Sequence, residues 1–332
     1  MSHATITGTL TEPPPPDSDI DISVHDVEVE IGKTKWSLLY CQFPTKNNKT
    51  FTFRCSVAGG DSLLWNCVAR GRLTIGKNSV MWSGSFNHST TPACSSIFEL
   101  PCTEKSNFEA EIEVISKRII DLSSPTNEAI KSPEDAACLD VDNHKVWVSK
   151  KLLSCQSPFF KTLFFGDFKE KATESYSLKA VKFAAFKLFL AVILDVDVVI
   201  RTEAHFEDLL RLGDMYQCDT VISFCRDLMR NSKTEYVSLK TKILFCDRQG
   251  FSPLLADIIR NAPLDDLKEF ISGGYREHLR GYAVHHQRAI LHVQKQRRTI
   301  SALQSQRSKL RARGSSSFEK RPAARRKACH LL

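Results

Sequence analysis

The hydrophobic pattern of this chain changes period once, and that change divides it. Up to about residue 118 apolar residues recur at every second position, and beyond 134 they recur mostly at helical spacing. A strand turns successive side chains to opposite faces, whereas a helix needs 3.6 residues per turn, so one segment cannot satisfy both. The clearest case of alternation is Ile22-Ser-Val-His-Asp-Val-Glu-Val-Glu-Ile31, which reads as one half-buried strand. Similar runs stand at 35–41, 50–57, 64–75, 80–86, 96–100 and 108–115. Turn clusters such as Pro44-Thr-Lys-Asn-Asn48 and Ala58-Gly-Gly-Asp61 separate them. About seven short strands with regular turns predict an antiparallel β-sandwich over 20–118. Residues 1–19 are polar and carry Pro13 to Pro16, and are expected to be disordered.

Residues 119–133, with Ser123-Ser-Pro125 and Ser132-Pro133, read as a linker. A hairpin is then expected at 137–141 and 145–148 around Asp142-Asn143, followed by helices at 150–155, 158–165, 183–194, 203–216 and 220–229. Residues 175–178 suit a short strand. A strand pair followed by many helices indicates an α+β domain, here over 134–231. Residues 232–274 hold further helices, centred on 237–246, 253–259 and 264–271, and Gly273-Gly274 closes them. Residues 275–332 form a basic tail, helical at first and disordered from Gly314. Arg297 and Arg307 fill heptad positions there, which argues against a coiled coil.

The length of 332 residues suits two domains with tails. Hydrophobic residues at 42% and charged residues at 25% exclude a wholly disordered or collagen-like chain. The net charge of +8 invites a nucleic-acid reading until it is located. The tail has 15 Lys and Arg against two acids, Glu277 and Glu319, and is therefore +13. The first 274 residues keep 31 basic and 36 acidic residues and are −5. The charge belongs to the tail, so nucleic acid is not an expected partner of the folded body.

The 11 cysteines include no Cys-x2-Cys pair and mostly sit in apolar runs such as Leu64-Trp-Asn-Cys67. They read as buried free thiols, not as a zinc site or a disulfide framework. Phosphate-loop, nucleophile-elbow and zinc-protease motifs are lacking, so a non-catalytic chain without cofactor, metal or small-molecule substrate is expected. The adjacent His285-His286 lies in a basic, helix-prone segment without nearby Cys or carboxylates, and reads as a solvated helix face. The longest apolar run, 188–194 between Lys187 and Asp195, is far short of the roughly 18–20 residues that span a bilayer. With no secretory signal at the N-terminus, a cytoplasmic or nuclear location is expected.

The most informative stretch is 148–170. Leu152, Leu153, Phe159, Phe160, Leu163 and Phe164 put six large apolar side chains on two short helices joined by a tight turn. Each is worth roughly 1.5–3 kcal/mol when buried, so the pair must pack on something large. Either the domain's own core takes them or part of the set packs across a symmetric dimer. Here the sequence resembles the BTB/POZ domain family. The resemblance rests on Lys150-Lys-Leu-Leu153, Ser157-Pro-Phe-Phe160, Phe165-Gly-Asp-Phe-Lys-Glu170 and Leu209-Leu-Arg-Leu-Gly-Asp-Met-Tyr216, in that order. It departs at Ser149, where the family usually has His, and at Leu194-Asp-Val-Asp-Val198, which replaces a Tyr-Thr-Gly turn. A sandwich ahead of such a domain is similar to the MATH–BTB arrangement abundant among nematode adaptors.

That resemblance implies a substrate-recruiting adaptor of a cullin-3 RING ubiquitin ligase. The BTB domain dimerises and binds cullin, and the other domain recruits an unknown protein substrate. The cullin contact falls on Phe168, Lys169 and Glu170, the dimer contact on the six apolar residues above, and the helices of 232–274 extend the cullin interface. The alternative implied is a BTB dimerisation scaffold or a nuclear transcriptional regulator. Lys320, Arg321, Arg325, Arg326 and Lys327 resemble a nuclear-localisation cluster, while Cys329-His-Leu-Leu332 matches a prenylation pattern that would lipidate Cys329.

Overall fold

The computed structural model describes residues 2–10, 21–24, 28–42, 48–89, 94–101, 106–166, 175–230 and 234–272. The chain divides into two compact units, Met1–Tyr236 and Val237–Leu332.

The first unit opens with two antiparallel sheets. One runs β1(Ser2–Thr9), β9(Asn107–Asp121), β6(Leu63–Ile75), β7(Asn78–Asn87). The other runs β2(Asp21–Val24), β4(Thr34–Gln42), β5(Asn48–Val57), β8(Cys94–Pro101), with β3(Val29–Ile31) also on β4. Alternation does what the sequence requires. Along β6, Cys67, Ala69, Leu73 and Ile75 are buried while Arg70 and Arg72 face solvent. Along β9, Phe108, Ala110, Ile112 and Val114 point inward. The inner faces of both sheets share one core, in which Phe53 stacks on Trp82 at 4.0 Å and Trp36 meets Phe86 edge-on at 4.8 Å. Trp36 keeps its indole satisfied by donating Nε1 to Thr34 Oγ1 at 2.9 Å, and Thr34 passes its own proton to the Ile31 carbonyl at 2.7 Å. Gly71 is required where it stands, because a Cβ there would lie 1.8 Å from the Glu111 carbonyl oxygen. A bulge at Val68/Ala69 shifts the β6–β9 register and leaves Ile115 half exposed.

Three expectations are corrected here. Residues 2–9, expected to be disordered, form β1, paired with β9 from Ser2↔Val114 to Thr9↔Asn107. Ile6 and Leu10 are fully buried, so ordering this end gains apolar burial that its polar composition hides. The proline run itself lies outside the described residues. The alternation of 22–31 is two strands, β2 and β3, both antiparallel to β4. The expected linker gives up 119–121 to β9, which ends at Asp121.

After a single 3-10 turn at Pro133–Asp135, β10(Ala136–Val141) and β11(His144–Ser149) form the expected hairpin. Asp142 and Asn143 adopt left-handed φ of 51° and 63°, the conformation a tight two-residue turn demands and short polar side chains tolerate. β12(Ser175–Leu178) lies parallel to β10. Around this sheet stand α1(Lys150–Gln156), α2(Pro158–Phe165), α3(Phe183–Ile193), α4(Glu203–Met215) and α5(Asp219–Arg230). Gly213 of α4 lets α5 approach, since a Cβ there would press on Ile222 Cδ1 at 2.9 Å.

In the second unit α6(Leu239–Arg248), α7(Ser252–Asn261) and α8(Leu264–Ser272) bury Leu255, Ile259 and Leu267. Ser238 caps α6 by accepting from the Thr241 amide at 3.2 Å. No helix among the described residues is long and apolar enough to cross a membrane. Cys55, Cys67, Cys138, Cys218, Cys225 and Cys246 are buried free thiols, and burial pushes Cys225 and Cys246 up to about 12.

Candidate interaction surface

The site begins with two helix caps. Ser149 accepts from the Leu152 amide at 3.1 Å and donates to Asp135 at 2.6 Å, while Asp135 also accepts from the Lys151 amide at 2.8 Å. The serine that replaces the family's histidine therefore starts α1 and ties it to the preceding turn. Ser157 starts α2 by accepting from the Phe160 amide at 3.2 Å, and its hydroxyl donates to the Tyr216 carbonyl at the end of α4. Pro158 takes the first helical position, where its missing N–H leaves nothing unsatisfied.

These caps fix the rotation of α2, and the rotation sorts the six apolar residues. Phe160 and Phe164, one turn apart, point into the domain and are buried. Phe160 sits among Tyr216, Phe189 and Phe186 at ring distances of 4.8, 6.3 and 6.5 Å, and Phe164 meets Tyr176 at 5.1 Å. Burial also pushes the Tyr216 phenol up to about 12. Leu153 is buried too. Leu152 lines a small apolar crevice of about 10 Å³ with Leu122, Trp147, Leu190 and Leu194. Three of the six side chains, Leu153, Phe160 and Phe164, are thus committed to the chain's own interior, and Leu152 is half-buried. Phe159, 37% exposed, and Leu163, half-buried, keep surface free on the outer side of α2. Phe165 at 53% and Met215 at 43% are further exposed apolar side chains, neither of which the sequence singled out. Each completes a motif quoted for the resemblance, but motif spacing alone does not say which side faces out.

Phe168, Lys169 and Glu170 lie outside the described residues, as do Lys320, Arg321, Arg325, Arg326, Lys327 and Cys329. His285-His286 lies outside them as well. Among the described residues no three His, Cys, Asp or Glu side chains come together as metal ligands do. The chemistry this surface offers is apolar contact around a rigid helix pair.

Residues 134–233 match the family model of the BTB/POZ domain. The BTB and MATH domain-containing protein 38 of Caenorhabditis elegans is 24% identical over 254 residues, which is 70% of this chain and 64% of that protein. The chain therefore aligns with less than two thirds of that relative's length. The solved BTB domain of zebrafish PATZ1 aligns at 18% identity and a TM-score of 0.25, over 29% of this chain and 75% of that one.

Proposed function

We propose that this chain, which carries a BTB/POZ domain at residues 134–233, is a substrate-recruiting adaptor of a cullin-3 ubiquitin ligase. In this reading the N-terminal sandwich is a MATH domain that holds a protein substrate. The BTB/POZ domain pairs with a second copy and binds cullin. The observation that carries it is the domain pair: two face-to-face antiparallel sheets joined to a BTB/POZ domain. The alignment to the nematode relative supports it, because 254 residues reach well beyond the 100 of the BTB/POZ match. Catalysis here is proximity, with substrate and ligase held on one scaffold.

Phe168 acts as the aromatic anchor toward cullin, with Lys169 and Glu170 supplying orientation and charge complementarity beside it. Cullin-3 is expected to co-purify with the chain at micromolar concentration, and Phe168→Ala or Glu170→Ala is expected to weaken capture at least about tenfold. No cullin retained by the unaltered chain would leave the alternative class, a BTB dimerisation scaffold or nuclear regulator. The +13 tail favours that alternative, with Lys320, Arg321, Arg325, Arg326 and Lys327 as a nuclear address.

Dimerisation rests on the outer side of α2. Light scattering of the purified chain is expected to give twice the 37.5 kDa chain mass. Leu163→Glu is expected to return the monomer, since a charge placed in an apolar contact must be desolvated without a partner. A monomeric unaltered chain at 50 μM or so would remove the dimer from the proposal.

A further inference from the structure

We infer that residues 194–201 form a clasp that locks the N-terminal sandwich onto the BTB/POZ domain, so that the two move as one rigid body. The connection between them is short and fully tied. The Trp147 amide of β11 donates to the Leu122 carbonyl at 2.7 Å. Asn127, buried, donates to the Trp147 carbonyl at 3.1 Å and accepts from the Ala129 amide at 3.1 Å. Arg118 of β9 donates Nε to Glu128 at 2.7 Å and a terminal nitrogen to the Leu194 carbonyl. A flexible tether would leave these donors to water; here they tie the connection to the domain on either side of it.

The clasp adds a second strip away from the connection. The chain leaves α3 through Asp195 in the left-handed region, φ 52°, and buries Val196 and Ile200 on alternate sides of two outward residues. Those two reach the sandwich. The Val199 amide donates to Ser89 Oγ at 2.8 Å, and Asp197 accepts from Ser85 Oγ at 3.4 Å. From α3 itself, Lys187 extends its ammonium to the Asp61 carbonyl at 2.5 Å. Burial holds the Lys187 ammonium below its usual range, as a charge closed into a seam requires. The two strips together oppose rotation about either, where a single connection would permit it. The domains of a multidomain chain are expected to shift relative to one another unless their interface is extensive. Here the hydrogen bonds from Arg118, Ser85, Ser89 and Lys187 oppose that shift. The consequence for any partner bound on the sandwich is a fixed distance and direction to the outer side of α2.

Hydrogen exchange on the full chain, read at single amides, tests the clasp. The Val199 and Trp147 amides are expected to exchange at least about a hundredfold more slowly than in an unstructured peptide. Ser89→Ala removes the Val199 acceptor from the opposite domain; it also removes the 2.6 Å donation from Ser89 Oγ to the buried Asn87 Oδ1, which keeps the Ser89 amide as donor. It is expected to speed Val199 exchange about tenfold or more while amides paired between β6 and β9 keep their rates. Val199 exchanging at the free-peptide rate in the unaltered chain would overturn the inference. So would Val199 exchange that Ser89→Ala leaves unchanged.

Discussion

Phe160→Ala is expected to destabilise the first unit by about 3–5 kcal/mol, the range for emptying a buried aromatic site. The ring is fully buried and is the hub of its cluster, lying 5.3 Å from Phe159, 5.8 Å from Phe164 and 4.8 Å from Tyr216. The surrounding groups are held from three directions. α2 is fixed by the Ser157 cap, α3 brings Phe186 and Phe189, and α4 ends on the buried Tyr216. Little collapse into the void is open to them, which places the loss at the upper part of that range. For a unit of this size a loss of that order lowers the thermal midpoint by about 10 °C. Phe165→Ala, five residues further along the same helix, is the matched control. Its side chain is 53% exposed, and its removal is expected to change stability by about 0.5 kcal/mol. Urea titrations of the two variants beside the unaltered chain measure both. Equal losses would mean that α2 is not oriented as described.

That contrast shows what sequence can and cannot supply. The helix pair was legible because its signals are local: Ser157 before an apolar run, and Pro158 where a first turn accepts it. The strands of 34–121 were legible for the same reason, since alternation is written in neighbouring residues. The assignment of the six apolar residues was not legible. Phe159 and Phe160 are adjacent and chemically identical, and only the distant Tyr216, Phe186 and Phe189 decide which one is enclosed. β1 was hidden because its partner, β9, lies about a hundred residues away and because Ile6 and Leu10 are its main apolar payload. The departure at Leu194-Asp-Val-Asp-Val198 was visible as an anomaly, but its contacts, Arg118 and Ser85, are carried by another domain. A local rule finds an element; it cannot find what the element is for when the answer is contributed from elsewhere in the chain.

Acid is expected to weaken the first unit through His88. Burial is the main cause that holds this imidazole down to about 4, against an ordinary 6.5, and the nearby Lys187 ammonium pushes the same way. The Nδ1 atom lies 3.2 Å from the Trp65 carbonyl, so the proton of the neutral ring belongs on Nδ1. Nε2 is enclosed with no hydrogen-bond partner, and a second proton there would create an unsolvated charge. Between pH 6.5 and 4 the unfolded chain therefore takes up a proton that the folded chain refuses. Stability is complete above pH 6.5 and falls as pH drops toward 4, because the unfolded state binds more protons in that window. At 1.36 kcal/mol per unit the loss approaches about 3 kcal/mol. Carboxylates such as Glu113, held low by the Arg70 guanidinium, also weaken the fold in acid, so the quantity to read is a difference. Unfolding free energies of the unaltered chain and of His88→Asn are compared at pH 7, 5.5 and 4. The unaltered chain is expected to lose about 3 kcal/mol more than the variant across that span. Parallel curves would show that His88 is protonated as readily folded as unfolded. Because Lys187 belongs to α3 and His88 follows β7, protonating His88 adds one positive charge beside the Lys187 ammonium.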